Sequence, residues 1–163
     1  MSHTSVRYEF KDKAADYASL AQELESLLAG ERDLIANAAN TASLLFNALP
    51  DVNWVGFYFL KGGELVVGPF QGEPACVRIA LGKGVCGTAA AKRRTVLVPD
   101  VHAFPGHIAC DAASRSEIVV PLLVTSGLLG VLDLDSPGIE RFDDLDRRGL
   151  ERLAAIFLSS LTA

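Results

Sequence analysis

The chain has 163 residues, half of them apolar and about a fifth charged, which is enough for one domain with a core that needs no covalent staples. A net charge of −5 and a pI near 5.1 argue against a nucleic-acid surface, because phosphate binding needs a clustered basic patch. The densest basic run, Lys92-Arg93-Arg94, is short and falls where a helix should end. Residues 1–13 are polar, without a signal-peptide core, and no apolar run reaches membrane-spanning length, so a soluble cytoplasmic protein is expected.

Two helices come first. Tyr17, Leu20, Leu24, Leu27 and Leu28 recur at helical spacing before a capping Gly30. A second helix is expected from about Asp33 to Leu49, with Leu34, Ile35, Ala38, Ala42, Leu45 and Leu49 on one face and Pro50 as its stop. The period then changes. Trp54–Leu60 and Leu65–Phe70 read as strands joined by the hairpin signal Lys61-Gly62-Gly63-Glu64, and Val77–Leu81 as a further strand. Gly84–Lys92 reads as a short alanine-rich helix and Thr95–Val98 as a strand. Residues 100–115 make a loop longer than most, a common place for function. Ile118–Val124 and Leu128–Asp135 form a second hairpin across Thr125-Ser126-Gly127. Asp143 or Asp144 then caps a last helix that buries Leu150, Leu153, Phe157 and Leu161. Helices at both ends with hairpins between them indicate an α+β domain on a mainly antiparallel sheet. Residues 1–15 are expected to be a partly flexible N-terminal segment and 16–163 the single domain.

The three cysteines lie in three different settings, none in a CxxC pair: Cys76 in an extended run, Cys86 in a glycine-rich turn that opens a helix, Cys110 in the long loop. An odd, irregularly spaced set argues against a secreted disulfide framework and favours intracellular thiols. A free cysteine is ordinarily a buried, inert hydrophobe, and Cys76, alternating within a strand, fits that description best. Cys86, near a helix N-terminus, is expected to be acidic. Cys110 is placed where a thiol can reach a ligand, with His107 near it. His102, His107 and Cys110 match no standard zinc spacing, and no metal or other cofactor is expected.

Asp133 and Asp135 are two apart on one strand and project from the same face, while Glu117 opens the apolar run Ile118-Val119-Val120. Either these groups cap strand ends, or they form a carboxyl cluster that grips an ammonium group or, kept protonated by burial, donates a proton. Trp54 and Tyr58, four apart on a strand, share a face as core aromatics or as the wall of a cavity suited to a methyl-sulfur group.

Together these segments resemble the free methionine-(R)-sulfoxide reductase family, which is built on a GAF domain. The matching stretches are Asn53-Trp54-Val55-Gly56-Phe57-Tyr58, Gly68-Pro69-Phe70-Gln71-Gly72, Pro74-Ala75-Cys76 and Gly84-Val85-Cys86-Gly87-Thr88-Ala89. They continue through His107-Ile108-Ala109-Cys110-Asp111, the run from Ser114 to Pro121, the run from Gly130 to Pro137 and Phe142-Asp143-Asp144-Leu145-Asp146. The resemblance implies a GAF-like fold and a cytosolic homodimer that reduces the R epimer of free L-methionine sulfoxide and is recycled by a thioredoxin-type reductant. It implies Cys110 as the attacking thiol, Cys86 or Cys76 as the resolving one, Glu117, Asp133 and Asp135 lining the substrate site and Trp54 against the methyl end of the substrate; Tyr58, on the face of Trp54, is expected to join them. Two other classes stay open: a GAF-type sensor of a small ligand, and a redox-switched module without turnover.

Overall fold

Aspartates start three of the four α-helices. In the computed structural model, which describes residues 3–4, 6–108 and 112–162, the Asp12 carboxylate accepts the Ala15 N–H at the head of α1 (Lys13–Leu28). Asp33 accepts the Ala36 N–H at the head of α2 (Leu34–Ala48). Asp143 and Asp146 form a reciprocal capping box on the helix α4 (Asp144–Ser160), so of the two expected caps Asp143 is the one used. The remaining helix, α3 (Gly84–Lys92), has no side-chain cap.

Six strands lie between these helices: β1 (Trp54–Lys61), β2 (Glu64–Gly72), β3 (Arg78–Ala80), β4 (Val96–Val98), β5 (Ser116–Val124) and β6 (Gly127–Ser136). They make one sheet in the order β3-β2-β1-β6-β5-β4, antiparallel at every pairing. The Gly62-Gly63 turn has positive φ at both residues, as a tight two-residue hairpin requires, and fixes the β1–β2 register at Lys61↔Glu64. The expected α+β architecture is the observed one. The strand Val77–Leu81 shortens to Arg78–Ala80, so Cys76 lies in the connection before β3 and not within a strand. A 3-10 turn (Val101–Ala103), capped by Asp100, interrupts the long loop.

Alternation along the strands gives the sheet two apolar faces. Val55, Phe57, Phe59, Ile118, Val120, Leu122, Leu132 and Leu134 face α1, α2 and α4, forming the main core. Trp54, Tyr58, Val119 and Val131 face the opposite side, where α3 and the connecting segments cover them. The predicted helix stripes are found in these cores, with one correction: Ile35 is 55% exposed. It sits in the first turn of α2, ahead of Asn37 and Ala38 where burial begins. Phe10, before α1, is buried and meets Tyr17 edge-on with centroids 4.9 Å apart. No helix among the described residues is long and apolar enough to cross a membrane.

A buried polar knot ties the first helix to the last. Asp146, with no exposed surface, accepts from the Tyr17 hydroxyl at 2.8 Å, Lys13 Nζ at 2.6 Å and Arg141 Nη1 at 3.3 Å. One turn on, Gly149 lies against the Tyr17 ring so closely that a Cβ there would stand 2.3 Å from Tyr17 Cγ and 2.5 Å from both Cδ atoms. Replacing a helical glycine by alanine ordinarily stabilises by up to about 1 kcal/mol. Here the sign should reverse: Gly149→Ala should lose about 1–3 kcal/mol in urea unfolding, as overpacked cores do. A gain in stability would show that the Tyr17 contact yields freely.

Candidate active site

The second face of the sheet carries the unusual chemistry. Register places Glu117 of β5 directly opposite Asp135 of β6, and Asp133 one pleat along on the same face, opposite Gly56 and Val119. Directly opposed residues of a non-local pair stand within about 5.5 Å at Cβ, so like charges there repel. Glu117 is 7% exposed and Asp133 5%, while Asp135 is half-buried. None of the three is a strand-end cap on an open surface: all line one cavity with Trp54, Tyr58, Cys86, His107 and Ser114. The described cavity lining contains no lysine or arginine.

Burial in this setting raises the pKa of the carboxyls. Loss of water, and then the neighbouring Asp135 charge, raises the Glu117 pKa well above the ordinary carboxylate range. Loss of water and the Glu117 charge do the same for Asp133. The two groups titrate as a coupled set, and the direction is upward for both. The same field acts on Cys86, whose Sγ lies 4.0 Å from Glu117 Oε2. Burial first, and then the charges of Asp133, Glu117 and Asp135, push its thiol well above the usual value. The expectation of an acidic Cys86 is therefore corrected. Although it occupies the first turn of α3, the loss of solvent and three nearby carboxyls outweigh a helix dipole equivalent to roughly half a charge.

Cys76 departs from the inert reading in the other direction. It is half-buried in the connection between β2 and β3 and is disulfide-bonded, whereas Cys86 is a free thiol. The aromatic pair holds this connection by its backbone. Trp54 Nε1 donates to the Glu73 carbonyl at 3.1 Å and the Tyr58 hydroxyl donates to the Cys76 carbonyl at 3.0 Å. The Trp54 ring stacks on Tyr58, with centroids 5.9 Å apart, and on Phe70, with centroids 5.2 Å apart. It fits only because Gly56 and Gly72 have no side chain: a Cβ at either would come within 2.7 Å of the indole. Sequence reasoning gave neither glycine a role of its own: Gly56 stands in the Gly-x-Tyr pattern after the tryptophan, and Gly72 closes the run Gly68-Pro69-Phe70-Gln71-Gly72.

His107 reaches the cavity from the long loop, its Nε2 3.7 Å from Glu117 Oε1, and partial burial lowers its pKa, favouring the neutral ring. His102 is exposed on the 3-10 turn and does not line the cavity. Cys110 lies outside the described residues. Ser114, buried at the cavity edge, accepts from Asn53 Nδ2 at 3.3 Å and was missed in the sequence, where a loop serine has no distinguishing signal. Among the described residues, Cys86, Glu117 and Asp133 are a group whose donor atoms lie within 4.8 Å of one another, compact enough to address a cation.

Residues 29–158 match the model of the GAF domain. The chain is 56% identical to protein YtsP of Bacillus subtilis, covering 91% of this chain and 93% of that one. It is 53% identical to the free methionine-R-sulfoxide reductase of Escherichia coli, covering 88% of this chain and 87% of that one. The X-ray structure of free methionine-R-sulfoxide reductase from Neisseria meningitidis, in complex with its substrate, is 47% identical. It superposes with a TM-score of 0.92, covering 98% of this chain and 96% of that one.

The raised carboxyl pKa values make a stability prediction. Below the unfolded pKa, near 4.3 for glutamate, folded and unfolded chains both hold the proton and the group is neutral in its effect. As pH rises the unfolded chain ionises first, so stability is lost from that point up to the folded pKa. Glu117→Gln removes that loss. The variant should melt close to the wild type at pH 4 and about 3 °C or more above it at pH 8, roughly the shift that 1 kcal/mol produces. A gap that does not change with pH would mean that Glu117 is ionised in the folded protein.

Proposed function

Because the chain belongs to the GAF-domain family of free methionine-R-sulfoxide reductases, we propose that it reduces the R epimer of free L-methionine sulfoxide to methionine by thiol chemistry. The observation that carries this reading is a cavity in which proton-holding carboxyls, Glu117 and Asp133, face the aromatic wall of Trp54 and Tyr58. A sulfoxide needs both features. Its oxygen is a poor leaving group until protonated, and its methyl-sulfur end is apolar and polarisable, suited to an aromatic face.

In this mechanism the Glu117–Asp133 pair hydrogen-bonds the sulfoxide oxygen and supplies the proton. Asp135, less buried and on the same face, holds the substrate ammonium. Gripping a free amino group selects the amino acid over the same residue in a peptide. Cys110, on the loop that brings His107 to the cavity, attacks the substrate sulfur as thiolate, and the neutral imidazole takes its proton. Oxygen passes to the cysteine: the sulfoxide is reduced by two electrons to the thioether and Cys110 is oxidised to the sulfenic acid. Cys76 then condenses with the sulfenic acid, forming the S–S bond and releasing water. A thioredoxin-type dithiol reopens the disulfide by exchange and leaves oxidised itself.

Two findings favour Cys76 over Cys86 as the resolving thiol. Cys76 is the cysteine found disulfide-bonded, on a half-buried connection beside the cavity. Cys86 is buried among carboxyls that hold its proton in place, which suits a wall of the pocket and not a nucleophile.

Separated epimers in a thioredoxin-coupled assay test the proposal. Turnover is expected on the free R epimer, with little on the S epimer or on N-acetylated substrate. Equal rates on both epimers, or a preference for the blocked substrate, would reject it. Glu117→Gln should lower kcat by about 10²–10⁴-fold, the range of a lost general acid. Asp135→Asn should act mainly on KM. Without added reductant, Cys76→Ser should release one methionine per chain and leave a trappable sulfenic acid, whereas Cys110→Ser should release none.

A further inference from the structure

We propose that the floor of this cavity binds one thiophilic divalent cation, Zn2+ in particular, through Cys86, Glu117 and Asp133, and that the cation and the sulfoxide exclude one another. The site is competitive with substrate, and only that exclusion rests on the functional reading above.

Four observations point to a cation. The Cys86 Sγ and one oxygen each from Glu117 and Asp133 already lie within 4.8 Å of one another, and all three residues are buried. Tetrahedral zinc, with bonds of about 2.0–2.3 Å, wants its donors roughly 3.5 Å apart, and the Cys86–Glu117 contact is already 4.0 Å. Asp133 lines the cavity and is 5% exposed, yet its Oδ1 makes no hydrogen bond, which leaves a buried acceptor within the group unsatisfied. The described lining offers no lysine or arginine beside Glu117 and Asp133, so protons, an ammonium or a metal ion can neutralise that pair. The fourth ligand position falls to water or to His107, whose Nε2 is 3.7 Å from Glu117 Oε1.

The thiol decides which metal. Carboxylates alone would accept Mg2+ or Ca2+, but one sulfur donor on a small buried site selects Zn2+ and its soft relatives. Binding needs the Cys86 thiolate, so the thiol proton leaves as the metal enters, together with the proton held by the carboxyl pair. Cys86 is free in the same structure in which Cys76 is disulfide-bonded. Both redox forms of the protein therefore present the site, and micromolar zinc should block the cavity in either.

Cobalt reports such a site directly, because a thiolate–Co2+ bond gives a near-ultraviolet charge-transfer band. The probe protein is the Cys76→Ser/Cys110→Ser double variant, in which Cys86 is the one remaining thiol. Titration with Co2+ should develop the band with one equivalent, Zn2+ should abolish it, and Cys86→Ser on the same background should never show it. Asp133→Asn, which keeps the thiol and the shape of the site, should weaken Co2+ binding at least tenfold. Free methionine R-sulfoxide should raise the apparent Kd for Co2+ in proportion to its concentration. Absence of the band, its survival without Cys86, or an unchanged affinity in Asp133→Asn would overturn the metal site, and normal turnover beside that result would leave the functional reading standing. Metal affinity indifferent to saturating sulfoxide would overturn the exclusion and place the substrate elsewhere.

Discussion

Three carboxyl groups on two adjacent strands, facing the same way, with Glu117 and Asp133 buried and Asp135 half-buried, are the constraint around which this molecule is arranged. Glu117 and Asp135 oppose one another across the β5–β6 ladder and Asp133 stands one pleat along. Three ionised groups at that spacing in a low-dielectric pocket would repel by several kcal/mol. Among the described residues, no lysine or arginine lines the space to relieve them. The pKa values of Glu117 and Asp133 are raised as a result, which favours their protonated forms over those of an exposed carboxylate.

The same constraint divides the labour of the thiols. Cys86 is built into the carboxyl cluster, and its own burial first, then any charge on the carboxyls around it, raises the pKa of its thiol. Cys76 is carried on a connection pinned by its backbone: Trp54 and Tyr58 each donate one hydrogen bond to its carbonyls, at Glu73 and at Cys76 itself. The aromatic wall thus has two jobs. It lines the cavity, and it sets the distance between the cavity and the segment that bears the disulfide-bonded Cys76. Gly56 and Gly72 make both possible by leaving a slot for the indole.

Much of this was readable in the sequence, and the failures have physical causes. A two-residue spacing on a strand suffices to place Asp133 and Asp135 on one face, because strand periodicity is local. That Glu117 joins them depends on the β5–β6 register, which a hairpin turn suggests but does not prove. The burial that raises these pKa values comes from α3 and the connections folding over the face, and no window of sequence reports that. The helix dipole at Cys86 is a local property and was foreseen, while the carboxyls that outweigh it come from other elements. Cys76 was misplaced for the same reason: its alternation with apolar neighbours reads as a strand, but pairing with β2 starts only at Arg78. Ile35 keeps the helical period and is exposed because the period does not say where packing starts along a helix.

The central claim is that the carboxyl cluster holds a proton in the resting protein at neutral pH. Carbon-13 NMR of the carboxyl carbons, titrated with pH and assigned through Glu117→Gln and Asp133→Asn, measures it without reference to catalysis. The account requires at least one of these two carbons to keep the chemical shift of a neutral acid at pH 7 and to titrate well above the ordinary carboxylate range. Finding Glu117 and Asp133 both fully ionised at pH 7, titrating with the surface carboxylates, would contradict it.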